Sequence, residues 1–126
     1  MTAAEPWPTE LTYDADAKIL RVVFDDGRHF DLPAEYLRVE SPSAEVQGHN
    51  PDERVIVGER AHVGIMNFET VGNYAVRIIF DDLHDTGIYS WRYLYDLGRE
   101  YPERWQIYLR ALKDKGLSRH PKVDRK

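Results

Sequence analysis

Cysteine is absent from this 126-residue chain, which removes disulfides, thiolate zinc sites, cysteine-ligated iron–sulfur clusters and a cysteine nucleophile in one stroke. Also missing is any apolar run near the roughly 20 residues that a membrane-crossing helix needs. The opening stretch MTAAEPWPTE has two prolines and two acids where a secretory signal would place a basic start and an apolar core. No membrane association and no export are therefore expected, and a cytoplasmic compartment is. There is no Gly-rich phosphate loop. Positive charge is scarce over most of the chain: residues 1–112 hold 11 Lys and Arg against 20 Asp and Glu, a balance of −9, whereas residues 113–126 hold 6 against 2. An acidic body repels phosphate backbones, so nucleic acid is not an expected partner.

What is present fits one folded unit. Hydrophobic content is 42% and charged content 31%, enough apolar surface to offset chain entropy in a domain of this length. Residues 1–8 read as a lead-in, 9–116 as a single domain, and 117–126 as a basic flexible tail. Leu11 and Tyr13 mark a first strand. Leu20, Val22 and Phe24 alternate with Arg21 and Val23, the period of a half-buried strand. Asp25-Asp26-Gly27 closes a hairpin, since glycine accepts positive φ at little cost, and His29 to Leu32 returns. Pro33 opens a short helical turn through Leu37. Val39 to Glu53 is the longest irregular stretch. Arg54 to Val57 and His62 to Thr70 read as two more strands, the second bulged at Gly64. Tyr74 to Phe80 and Thr86 to Trp91 form a second hairpin, followed by a helix over Trp91 to Leu97 with Ser90 as N-cap and Gly98 as C-terminal cap. Pro102 starts a last helix with Trp105, Tyr108, Leu109 and Leu112 on one stripe, ended by Gly116. The fold class expected is α+β: a small, mostly antiparallel sheet built from hairpins, with two C-terminal helices.

Residues 20–38 echo residues 76–95, with Arg21 matching Arg77, Phe24 matching Phe80, and Tyr36-Leu37 matching Tyr93-Leu94. Two copies of strand, acidic turn, strand and aromatic-Leu turn suggest a pseudo-symmetric sheet. The alternative is that any two amphipathic hairpins look alike.

Few side chains carry visible chemistry. His29-Phe30-Asp31 has the His-x-Asp spacing of non-haem iron oxygenases, but alternation puts both on a solvent face and the chain is short for a jelly roll. His84 lies among Asp81, Asp82 and Asp85, either as a hard metal corner or simply in a turn rich in Asp. His84, Asp85 and His49 form a candidate metal set for zinc or iron if the long loop folds back on the turn. Ser41, Ser43 and Ser90 have no visible partner to activate them, so capping roles fit better. Trp91, Tyr89 and Tyr93, with Ser41 and Ser43, are the candidate interaction surface, the competing role for aromatics at helical spacing being core. Exposed sheet edges make a homodimer one expectation.

Leu37-Arg38 followed by SPSAEVQGH, then VGNYAVRIIF and HDTGIYSWRYLYDLG, resembles the gamma-butyrobetaine hydroxylase-like N-terminal domain family over about residues 9–100. In that family the domain occurs as a small stand-alone bacterial protein of unknown function, precedes the jelly roll of carnitine-pathway dioxygenases, and is attached to some P-loop iron–sulfur scaffold proteins. The resemblance implies an α+β fold. It implies no dioxygenase activity, because the iron and 2-oxoglutarate ligands lie in a second domain. In the dioxygenase members the domain holds zinc through Cys-Pro-Cys-x-x-Cys and a histidine in the later turn. Here that run corresponds to Ser41-Pro42-Ser43-Ala44-Glu45-Val46 and only His84 matches, which implies a vestigial zinc site whose loop is held by hydrogen bonds. Leu83 stands where the family commonly has glycine. The expectation is a non-catalytic binding or adaptor module with a protein partner, linked to iron–sulfur or 2-oxoglutarate oxygenase metabolism and needing no cofactor. The alternative is a metal-handling protein built around His84.

Overall fold

A computed structural model describes residues 5–121. Its elements fall into two halves of the same plan. In the first, β1 (Pro8–Asp14), β2 (Ile19–Phe24) and β3 (His29–Pro33) make an antiparallel sheet in that order and lead into helix α1 (Ala34–Val39). In the second, β4 (Ile65–Val71), β5 (Ala75–Phe80) and β6 (Ile88–Ser90) do the same and lead into α3 (Trp91–Arg99). Helix α2 (Ala44–Gln47) and a 3₁₀ turn (Pro51–Glu53) lie between them, and α4 (Tyr101–Asp114) follows α3. The α+β class with two C-terminal helices is thus found, the strands being shared between two small sheets.

The repeat seen in the sequence is a repeat in space. Leu20, Val22 and Phe24 of β2 and Val76, Ile78 and Phe80 of β5 are all buried and meet in one core. Burial of each such side chain contributes about 1.5–3 kcal/mol. The Tyr36 hydroxyl of α1 donates to the Leu97 carbonyl at 2.7 Å, and the Tyr93 hydroxyl of α3 donates to the Glu40 carbonyl at 2.5 Å. Each tyrosine therefore reaches the carbonyl four residues beyond its counterpart in the other half, a reciprocal pair about a local two-fold axis. The hairpin turns obey the same relation. Gly27 has φ +87° and Leu83, its counterpart, φ +73°. The strand bonds Phe24 N–H to Arg28 C=O and Phe80 N–H to His84 C=O close the two turns equivalently. A leucine in the left-handed region costs on the order of 1–2 kcal/mol, and its side chain is 82% exposed.

Four expectations are corrected. Arg54 to Val57 joins no sheet; Ile56 and Val57 instead pack on a second small core of Val39, Tyr108 and Leu112. The strand expected from His62 begins at Ile65, and its bulge falls between Ile65 and Asn67, just after Gly64. Gly98 is no cap: it lies inside α3, where an added Cβ would sit 2.2 Å from the Phe30 ring. Glycine is there for close helix–sheet approach. Leu117 to Arg119 is not a frayed end. Gly116 (φ +65°) turns the chain out of α4 as expected, but Glu59 N–H then bonds Ser118 C=O at 2.8 Å and Ala61 N–H bonds Arg119 C=O at 3.0 Å. Arg119 forks onto buried Glu35 at 2.8 and 2.7 Å. The remaining tail, 122–126, and the start of the lead-in, 1–4, lie outside the described residues.

Candidate functional site

The second hairpin turn and the segment after α1 meet at His84. Strand β5 aims the turn at α1 because Asp82 is held there: its carboxylate accepts Arg38 Nε at 2.8 Å, Arg60 Nε at 2.6 Å and the His84 amide at 3.1 Å. Burial pushes the Asp82 carboxyl up, but the His84 amide and the two guanidiniums outweigh it, and its pKa ends below the usual 3.8. This arrangement is the counterpart of Tyr95 donating to Asp26 at 2.7 Å in the first half. Arg38 is 8% exposed, and its Nη1 has no partner among the described residues.

His84 is 6% exposed. Burial, and then the positive charge of Arg38, hold its pKa below the ordinary 6.5, with Glu45 and Asp82 pulling more weakly the other way. The ring is therefore neutral at pH 7. Its Nδ1 lies 3.1 Å from a Glu45 carboxylate oxygen and its Nε2 lies 2.9 Å from Ser41 Oγ. A carboxylate only accepts, so Nδ1 carries the proton and Nε2 accepts from the Ser41 hydroxyl. Ser41 Oγ in turn accepts the Ser43 amide at 3.2 Å, and Ser43 Oγ pairs with Thr86 Oγ1 at 2.7 Å. Ser43 also caps α2 by accepting the Glu45 amide at 3.2 Å.

Serine, imidazole and carboxylate stand here in the order and at the spacing of a hydrolytic triad. Access decides against that chemistry. Ser41 is 0% exposed, and the backbone of Gly87 closes over it so tightly that a Cβ at 87 would lie 2.6 Å from Oγ. A triad needs a site about 3 Å from the nucleophile where an acyl carbon can sit. The three residues act as a clasp joining the hairpin turn to the segment after α1.

The same atoms do not fit zinc. Structural zinc takes four ligands, mostly thiolate or imidazole. Of the positions matching the relatives' ligands, two carry neutral hydroxyls that are already bonded, Val46 is apolar and 2% exposed, and both nitrogens of His84 are engaged. No group of three or more His, Asp or Glu suited to a metal ion occurs among the described residues. His49, just past the end of α2, is exposed with its amide bonded to Glu53 at 2.9 Å, and Asp85 is exposed. The loop folds back on the turn, as the metal set required, but it brings Ser41 and Glu45 to His84 and Ser43 to Thr86.

The aromatic and serine set expected at the surface is corrected by burial. Tyr89 and Ser41 are 0% exposed, Ser43 and Trp91 7%, and Tyr93 is half-buried. Tyr89 donates to the Leu37 carbonyl at 2.5 Å, and burial pushes the Tyr93 hydroxyl up to about 12. The two tyrosines tie α1 to β6 and α3, while the Trp91 indole donates to the Asn73 carbonyl at 2.9 Å. Ser90 is the N-cap of α3, accepting the Tyr93 amide at 3.0 Å, as expected. Arg38, Glu45, Arg60 and Thr86 were not singled out from the sequence. The one available signal was the repeat, which pairs Asp82 with Asp26 and so marks a turn-to-helix contact in both halves.

The model of the family described as gamma-butyrobetaine hydroxylase-like, N-terminal, matches residues 11–95. Two proteins with NMR solution structures are similar over nearly their whole length. One is 39% identical with TM-score 0.82, covering 96% of this chain and 95% of its own. The other is 43% identical with TM-score 0.81, covering 99% and 95%. A crystal structure of a protein of unknown function of the DUF971 family from Acidithiobacillus ferrooxidans is 34% identical with TM-score 0.61, covering 72% of this chain and 91% of its own. No curated protein matches the chain significantly.

Proposed function

We propose that this chain, which belongs to the gamma-butyrobetaine hydroxylase-like N-terminal family, is a non-catalytic binding module that acts on a protein partner. One observation carries the reading: the corner where relatives hold an ion is closed by Ser41, His84 and Glu45, with the serine hydroxyl fully buried. Neither a metal ion nor a substrate has room there. The remaining assets of the chain are its acidic surface and its rigid two-half frame, which suit recognition. The family's attachment to iron–sulfur scaffold proteins and oxygenases supports a partner in that metabolism, and we assign the module to the cytoplasm.

The test is direct. Purified protein dialysed against Zn²⁺ or Fe²⁺ is expected to retain well under 0.1 equivalent of metal by elemental analysis, and a fluorophosphonate probe is expected to leave Ser41 unlabelled. Stoichiometric metal, or labelling at Ser41 abolished by His84→Ala, would overturn the reading.

A further inference from the structure

A second stripe runs along α4, separate from the one that faces the core. Glu100, Glu103, Arg104, Ile107 and Ala111 fall along it and, together with Glu40, Arg54 and Ile56 on the opposite side, enclose an open cleft of about 540 Å³. At roughly 1.5 Å per residue the stripe is about 16 Å long, the span of three helical turns. Its two ends differ in character. Near the start of α4 lie carboxylates, and farther along lie Ile56 and Ile107, the latter 51% exposed.

At the carboxylate end Glu40 and Glu100 are paired, Glu100 also taking Arg99 at 2.9 Å from outside the cleft, which leaves Glu103 as the lining carboxylate without an ion pair among the described residues. Arg54 and Arg104 both donate to a single oxygen of buried Glu40, each at 3.1 Å, and Arg104 also donates to Glu100 at 2.8 Å. Both guanidiniums are thereby neutralised. Glu103 is exposed. Around this lies a body whose first 112 residues sum to −9, a field that draws cationic partners.

We propose that this cleft docks an amphipathic basic segment of a partner protein, with a branched apolar side chain against Ile56 and Ile107 and a Lys or Arg on Glu103. The segment lies along α4 in the helix-in-groove manner, where apolar anchors give affinity and flanking charge gives direction. A nucleic acid or an acidic peptide is repelled by the same carboxylates. This rests on the binding-module reading but does not share its test. Protein that stays metal-free and unlabelled yet ignores the segment refutes the groove alone.

The experiment uses the full chain and two labelled 14-residue helical peptides, one built only of Leu and Lys and one only of Leu and Glu, read by fluorescence anisotropy at 150 mM NaCl. The Leu/Lys peptide is expected to bind saturably and the Leu/Glu peptide not at all. Ile107→Ser should weaken binding about tenfold through lost apolar contact, and Glu103→Lys about fivefold or more. Glu10→Lys makes the same charge change on exposed β1 and should alter binding less than twofold. All three positions are exposed, so circular dichroism is expected to show unchanged folds. Absent saturable binding, equal binding of the Leu/Glu peptide, or an effect of Glu10→Lys as large as that of Glu103→Lys would each overturn the proposal.

Discussion

Replacing Gly98 with alanine sets two effects of opposite sign against each other. Gly98 lies inside α3, and alanine in a helix interior is ordinarily about 1 kcal/mol better than glycine. The structure opposes this gain with three carbons of the Phe30 ring, at 2.2, 2.5 and 2.6 Å from the new Cβ, all far inside van der Waals contact. The ring cannot simply yield: it stands edge-on to Phe24 at 6.0 Å and to Tyr95 at 5.5 Å. Overpacking of this kind costs about 1–3 kcal/mol, and expelling the ring instead forfeits about 0.5–1.5 kcal/mol for each aromatic pair. Gly98→Ala should therefore be neutral to destabilising, by about 0–2 kcal/mol after the helix gain is counted. For a chain of this size that lowers Tm by about 3–5 °C per kcal/mol. Urea and thermal unfolding followed by circular dichroism measure it, and the decisive comparison is the Phe30→Ala background. There the clash is gone and the same substitution should stabilise by about 0.5–1 kcal/mol. If Gly98→Ala stabilises the wild-type chain, the close approach of α3 to β3 is wrong and a simple capping role for Gly98 returns.

Protonating His84 must break its acceptance of the Ser41 hydroxyl. Since its folded pKa lies below the ordinary 6.5, the unfolded chain binds the proton more readily. Stability is full above that value and falls as pH drops through it toward the folded pKa. A Tm series from pH 8 to 5 should show this slope in the wild type and lose it in His84→Gln; an unchanged slope refutes the clasp. Asp82 is depressed below 3.8, so its contribution is lost only at more acid pH, and the two windows separate. Rebuilding thiolates with Ser41→Cys, Ser43→Cys and Val46→Cys together should let the chain take up one equivalent of Zn²⁺ with His84, measured by elemental analysis, if the frame around the corner is that of the zinc-holding relatives. Arg119→Ala leaves the Glu35 carboxylate, whose side chain is 8% exposed, without its fork and should cost about 2–3 kcal/mol in urea unfolding. An effect below about 0.5 kcal/mol would mean the segment after α4 is not docked.

The repeat was the most informative thing in the one-dimensional pattern. Matching Arg21 with Arg77 and Tyr36 with Tyr93 anticipated two equivalent strand-turn-strand-helix halves, because period-2 alternation and Asp-rich turns are local properties that any reader of the chain can see. The reciprocal tyrosine bonds follow from that match once the halves are placed face to face. Arg54 to Val57 failed for the opposite reason: a short apolar run satisfies a strand template equally well when its partners are a helix and a loop.

Local pattern thus determined α1, α3 and α4, most strands, the caps at Ser90 and Gly116, the absence of cysteine chemistry and the acidic charge of the body, but not the short helix α2, which lies in the stretch read as irregular. Each of these depends on neighbours within a few residues or on composition alone. Three-dimensional packing alone decided that Ser41, Glu45 and His84 converge, that the aromatic side chains face inward, that Gly98 makes room for Phe30, and that Arg119 reaches Glu35 across 84 residues. Those outcomes depend on which distant surfaces meet, and contact free energy between segments far apart in the chain leaves no periodic mark on either of them.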